Sequence, residues 1–211
     1  MGEAVRRFLT AAGSGESEVV EKRSRFLGRV IPVSTEEEAR AFVEQIKKQH
    51  YDARHNCWCY LLKDGPERYS DDGEPQGTAG QPMLEVFRRE GVTNACCVVT
   101  RYFGGVLLGA GGLLRAYTKA AKEALDSAGI AEVRPWTRAA VECPYGMLER
   151  VNKLCESCGG TVEDTAYTDS VTLTVLLPEG GTERFADALR ELSAGKLQPV
   201  ILGEVEKSAP K

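Results

Sequence analysis

The sequence is poor in several of the groups on which common chemistries depend. It has two histidines, His50 and His55, so an imidazole-based metal site has little to draw on. Seven cysteines are present, yet only Cys155 and Cys158 have CxxC spacing. No second such pair and no histidine pair completes a zinc set, so no metal and no cofactor is expected. Gly159-Gly160 follows Cys158 and can supply the left-handed residue that stops a helix. No basic segment leads into an apolar run near Met1, so no secretory leader is expected. A cytoplasmic protein with reduced thiols is the corresponding expectation. No stretch approaches the ~20 apolar residues that a transmembrane helix needs. An excess of positive charge is also missing: 27 Lys+Arg face 31 Asp+Glu, a net charge of −4. Sequence-blind nucleic-acid binding usually leaves a strongly basic footprint, so only a local basic patch is allowed.

Enough apolar material is present to build a packed core, with 42% hydrophobic residues. The first ~15 residues are polar and read as frayed. Glu18 to Val33 reads as one or two strands. Ser34-Thr35 before Glu36-Glu37-Glu38 is a helix start: a hydroxyl caps free N–H groups and the acids meet the positive dipole end. That helix runs to about Gln49. Asn56 to Leu62 is a short strand, and Arg68 to Pro82 a loop. Thr78 to Gly91 holds a helix, and Asn94 to Tyr102 is a buried strand containing Cys96 and Cys97 as small hydrophobes. A glycine-rich loop, Phe103 to Gly112, leads to an alanine-rich helix from Leu113 to Ala128. From Ala131 the pattern becomes β-α-β-β-α-β, the split βαβ or ferredoxin-like plan. The reading is an α+β chain: residues 1–15 disordered, a first domain over 16–131, a second over 132–205, and a tail over 206–211.

Three segments could carry chemistry. In the first, Gly104, Gly105, Gly109, Gly111 and Gly112 are five glycines in nine residues between a strand and a helix. A helix start offers unpaired N–H groups and favours an anion. Arg115, Lys119 and Lys122 share one helix face, and Arg101 and Tyr102 end the preceding strand. A phosphate or an RNA backbone would suit this surface. The spacing is not the dinucleotide fingerprint, and the phosphate-loop Lys-Ser/Thr is missing. A solvated basic stripe beside a packing loop is the competing reading. In the second, Asp71, Asp72 and Glu74 could hold a divalent cation or act in acid/base catalysis, or form a surface turn and helix cap. In the third, His55 and Cys57 lie on one strand face, allowing a nucleophile–base pair with Asp52 or Asp72 as orienter. Trp58, Tyr60, Tyr102 and Phe103 could stack on bases or belong to a core.

Three ordered blocks together resemble the first domain of the YigZ/IMPACT family. They are Ala53-Arg54-His55-Asn56-Cys57-Trp58, then Ser70-Asp71-Asp72-Gly73-Glu74-Pro75 with Gly77 to Pro82, then Val98 to Gly105 continuing through Leu108-Gly109, Gly111-Gly112-Leu113 and Arg115-Ala116-Tyr117. Lys22-Arg23-Ser24-Arg25-Phe26 fits as well, and the match covers about residues 16–130. Cys59 departs from the small residue expected there, which bears on any special role for Cys57. The resemblance implies a two-layer α/β first domain with a left-handed crossover, similar to a small-subunit ribosomal protein and to domain IV of elongation factor G. A ferredoxin-like second domain would follow. Eukaryotic members regulate translation under amino-acid starvation, a stress response, by binding an activator of the initiation-factor kinase. They carry a further N-terminal domain, so that partner is not transferred to this chain.

Three functional readings stand side by side. The first is a non-enzymatic regulator of translation, binding RNA, the ribosome or a translation-associated protein through Arg101, Tyr102, Arg115, Lys119, Lys122 and the glycines. The second is an enzyme on a phosphorylated small molecule or nucleotide, with His55, Asp72 and Glu74 as its acid/base or metal groups. It requires those residues to share a pocket with the glycine segment. The third is a protein-interaction module with an exposed apolar patch and no anion site.

Overall fold

The computed structural model describes residues 7–210. The first six residues of the stretch read as frayed, and Lys211 of the tail, lie outside the described residues. Among those described, five α-helices and two sheets make an α+β protein. It divides into two compact units, Phe8–Glu132 and Val133–Ser208. No helix is long and apolar enough to cross a membrane.

The first unit opens with β1 (Phe8–Ala11), β2 (Gly15–Glu21) and β3 (Ser24–Pro32). Both β1 and the start of β2 fall in the stretch read as frayed. Their anchors are distant in sequence: Thr93 N–H donates to the Leu9 carbonyl, and Ala12 N–H to that of Gly129. Next come α1 (Glu36–Gln49), β4 (His55–Leu61), β5 (Glu67–Ser70), α2 (Gly80–Glu90), β6 (Ala95–Tyr102) and α3 (Gly109–Ala128). β5 lies where a loop is expected. Four residues paired to β4 from Trp58–Ser70 to Leu61–Glu67 make it a strand. The sheet order is β2-β3-β6-β4-β5, with each pairing antiparallel.

The start of α1 is local chemistry. The Thr35 side chain accepts from Glu38 N–H at 3.2 Å, and the Glu38 carboxylate accepts from Thr35 N–H at 3.4 Å and from Ser34 N–H at 2.6 Å. This reciprocal capping box satisfies donors that the helix cannot. Replacing Thr35 with alanine should lower stability by about 1 kcal/mol. Urea unfolding checks this, and an unchanged midpoint would remove the cap from the account.

The two-layer expectation gives way to three layers. Alternate residues of β6 face opposite ways. Cys96 and Val98 join Val43, Ile46 and Tyr60 under α1, whereas Ala95, Cys97 and Val99 join Met83, Phe87, Ala120 and Leu125 under α2 and α3. The central strands are therefore apolar on both faces, which is why Ala95 to Val99 reads as an unbroken run. α3 turns Ala116, Ala120 and Ala124 to the sheet. A Cβ on Gly28 of β3 would come within 2.6 Å of the Ala120 carbonyl oxygen. Small residues on both sides let helix and sheet approach closely.

The second unit has β7 (Ile130–Cys143), which begins just before its boundary. A 3₁₀ turn (Tyr145–Met147), α4 (Leu148–Ser157), β8 (Thr161–Tyr167), β9 (Val171–Pro178), α5 (Gly181–Leu192) and β10 (Val200–Pro210) follow. β8, β9, β7 and β10 neighbour one another in that order. Val141, Val151, Leu173, Val175, Phe185 and Leu189 fill its core. Cys155 packs into that core, and Cys158 ends α4 ahead of Gly159 at φ +77°. β10 continues through most of the expected tail. Its Lys207 ammonium lies 4.5 Å from the centre of the Trp136 ring and donates to the Thr161 hydroxyl at 2.9 Å.

Candidate functional site

The segment between β5 and α2 carries three carboxylates, and each goes to different partners. Asp71 accepts from the N–H groups of Gly77 at 2.8 Å, Ala79 at 3.1 Å and Gly80 at 2.8 Å. It thus serves as the cap of α2, whose own N-cap residue Ala79 has no side-chain acceptor. Asp72, at φ +44°, accepts from Asn56 N–H at 2.7 Å and lies 3.4 Å from the Lys47 ammonium. Its carbonyl, not its carboxylate, meets His55, at 2.8 Å from Nδ1. Glu74 turns inward. Its side chain is 3% exposed, and Oε1 accepts from Arg101 Nη1 at 2.6 Å and from the Tyr117 hydroxyl at 2.9 Å. The divalent-cation idea fails for this reason. Among the described residues no three His, Cys, Asp or Glu side chains gather to hold a metal.

Arg101 is 5% exposed and lies at the end of β6. Beyond Glu74, its Nη2 lies 3.4 Å from the Ser24 hydroxyl oxygen, while Nε is buried with no hydrogen-bond partner among the described residues. Its guanidinium sits 5.4 Å from the ring centres of both Phe26 and Phe103. Arg54 covers Phe103 from 5.7 Å. Tyr102, one residue on, projects to the other face of the strand. Its hydroxyl lies 2.8 Å from His50 Nδ1 and donates to Asp52 at 3.1 Å. Burial, then the Asp52 carboxylate, push its phenol above the usual range. Tyr102 is thus separated from the Arg101 site.

The glycines divide by role. A Cβ on Gly104 would sit 2.1 Å from the Arg23 carbonyl carbon, so the loop rests on the β2–β3 turn. Gly105 has φ +83° and open space around it. Gly109 begins α3 at φ +72°, so the helix starts four residues before Leu113. Gly111 and Gly112 lie in its first turn, where poor helix formers cost least because the N–H groups lack helical partners anyway. The N-cap residue Leu108 is in the helical region and supplies no side-chain cap. Arg115 reaches back over this turn, its guanidinium 3.6 Å from where a Cβ on Gly111 would lie. Lys119 and Lys122 lie further along α3. Lys119 is 3.8 Å from Glu123, and Lys122 is 2.5 Å from Asp126 and 3.4 Å from Glu90. Their charge is largely balanced by neighbours.

A cavity of about 420 Å³ opens within the first unit, lined among others by Arg54, His55, Glu74, Arg101, Phe103 and Gly109. His55 Nε2 lies 3.9 Å from Glu74 Oε2. Of the residues nominated from sequence, His55, Glu74, Arg101 and Gly109 meet here. Asp72, Tyr102, Gly104, Gly105, Gly111, Gly112, Arg115, Lys119 and Lys122 are not among its lining residues. Cys57 is fully buried, and its thiol donates to the Asp71 carbonyl at 3.0 Å. Burial drives its pKa well above the ordinary thiol range, so it is no nucleophile. Trp58 and Tyr60 stack on each other, 5.6 Å apart and 6° from parallel, on the α1 side of the sheet. Sequence reasoning missed Tyr117, Ser24 and Arg54. Tyr117 carried a signal, a hydroxyl on the otherwise apolar face of α3.

The family profile described as the Impact N-terminal domain matches residues 22–125, and a second, described only as a domain of unknown function, matches 141–196. The chain is 39% identical to the IMPACT family member YvyE of Bacillus subtilis over 191 residues, 90% of this chain and 88% of the relative. This chain belongs to the IMPACT family. The family member YigZ of Escherichia coli is 37% identical, with 87% of this chain and 92% of the relative covered. A crystal structure of a hypothetical protein shares 35% identity at a TM-score of 0.60, over 93% of this chain and 97% of that one. The IMPACT profile contains every residue named above as lining the cavity, and Ser24 and Tyr117 behind it.

Proposed function

We propose that this IMPACT-family chain acts in translation as a binding protein, holding a phosphate of RNA or of a ribosomal surface in the first-unit cleft. One observation carries the reading. The uncapped start of α3 opens beside exposed Arg54, so amide dipoles and a cation converge on one concave surface, which the Glu74-paired Arg101 also lines. Arg115 adds an exposed cation over the same turn, with no carboxylate within ion-pair distance among the described residues. Lys119 and Lys122 are secondary contacts in this reading, because each already has an acidic neighbour. On fold, the strand and helix order of the second unit supports a ferredoxin-like domain. The first unit is taken as a relative of the ribosomal-protein and elongation factor G domain IV fold, with a helix on the second face.

The test is co-sedimentation with ribosomes and with total RNA at two salt concentrations. Arg54→Glu combined with Arg115→Glu should weaken association at least tenfold and flatten its salt slope, since each lost phosphate contact removes about 0.7 from the slope on single strands. Unchanged binding and slope would defeat the proposal. The second reading, an enzyme on a phosphorylated small molecule, is favoured by one specific observation: His55 and Glu74 line the same cavity as Gly109. Release of inorganic phosphate from a panel of phosphomonoesters, abolished by His55→Ala, would favour it instead.

A further inference from the structure

The hydrogen bonding around His55 and Glu74 leaves two acceptors facing each other. The Asp72 carbonyl can only accept, so His55 Nδ1 carries its proton there, at 2.8 Å. In the neutral ring, Nε2 then presents a lone pair. Glu74 has committed Oε1 to Arg101 and Tyr117, while Oε2 receives no hydrogen bond from any described residue. Nε2 and Oε2 are 3.9 Å apart on the lining of the cavity. While the ring is neutral, two acceptors at that separation are open to donors from a ligand. An ammonium would meet Arg101 and Arg54 nearby and is disfavoured. Two neighbouring hydroxyls suit the pair, one O–H to each acceptor, as acidic side chains do for ribose hydroxyls in nucleotide sites.

We propose that the cleft recognises a ribonucleotide, with the vicinal 2′,3′-diol on His55 Nε2 and Glu74 Oε2 and the phosphate toward the start of α3. This rests on the phosphate reading of the same cleft and names its ligand class. A volume of about 420 Å³ is in the range of small-ligand sites. Phe103, Leu107 and Leu113 provide apolar wall for the remainder of the nucleotide. The diol could belong to a free nucleoside monophosphate or to the 3′ end of an RNA; the chemistry is shared, so the ligands tested must separate them.

The experiment is equilibrium binding to the whole protein by calorimetry. The ligands are inorganic phosphate, AMP, 2′-deoxy-AMP, 3′-deoxy-AMP, and a short RNA with either a free 3′ diol or a 3′-phosphate. AMP should bind about ten- to a hundredfold tighter than the form lacking the hydroxyl on Glu74, and roughly two- to tenfold tighter than the form lacking the hydroxyl on neutral His55, following the charged and neutral hydrogen-bond ranges. His55→Ala should narrow that preference. The wild-type ligand series stands even if that variant fails to fold. Tight binding of the diol-ended RNA, lost with a 3′-phosphate, assigns the site to RNA ends; preference for AMP alone assigns it to free nucleotides. Equal affinities for AMP and its deoxy forms sink the diol inference while leaving the phosphate reading intact. No binding of phosphate or of any nucleotide overturns both.

Discussion

Glu74→Ala is expected to destabilise the first unit by about 3–5 kcal/mol, among the largest effects of any side-chain truncation in this chain. The reason lies in what stays behind. Arg101 is 5% exposed and cannot lose its proton, so removing its carboxylate leaves a buried cation with Ser24 as its remaining side-chain hydrogen-bond partner, at 3.4 Å. The Tyr117 hydroxyl loses its acceptor as well. Two companions separate the causes. Tyr117→Phe removes one neutral donor and should cost about 1 kcal/mol. Glu74→Leu with Arg101→Met removes both charges and should cost much less than Glu74→Ala alone, because no ion is left unpaired. Chemical denaturation of the four proteins gives the comparison. A Glu74→Ala loss under 1 kcal/mol would mean that solvent or another group reaches Arg101.

The second large effect is steric. Alanine at Gly104 should cost about 3 kcal/mol, at the top of the usual range for overpacking. Its Cβ would lie 2.1 Å from the Arg23 carbonyl carbon and 2.2 Å from its oxygen. Backbone cannot swing aside as a side-chain tip can. The struck turn is already constrained, with Lys22 and Arg23 at φ +43° and +68° between the paired residues Glu21 and Ser24. Gly105→Ala is the control. It meets nothing within 4 Å but sits at φ +83°, so only the left-handed penalty of about 1–2 kcal/mol applies. Thermal unfolding should rank Gly104→Ala well below Gly105→Ala. Equal losses would show that conformation, not collision, is what both glycines serve.

What the sequence made legible follows from how local the cause is. The start of α1 was readable because Thr35 and Glu38 satisfy each other within three residues. The strand Ala95–Tyr102 was readable because its apolar run is uninterrupted. β1 and β5, four residues each, were not. Their partners lie far along the chain or across a turn, and no four-residue window records that. At the site, His55, Glu74, Arg101 and Gly109 were each nominated, yet their pairing was not. Arg101 was assigned to a ligand phosphate, although Nη1 is taken by Glu74. Tyr102 and Arg101 cannot share a site, since adjacent strand residues face opposite ways. The basic stripe of Lys119 and Lys122 is weaker than its spacing suggests, because Glu123 and Asp126 sit one turn further on the same helix.

Asp71 gathers three backbone N–H groups from residues six, eight and nine positions ahead. One carboxylate therefore holds the segment bearing Gly73 and Glu74 in a fixed shape whether or not anything occupies the cleft beside it. Such a wall asks no ordering entropy of an incoming ligand. Association would then be governed by diffusion and charge rather than by loop closure, and affinity differences among ligands would appear in how slowly they leave.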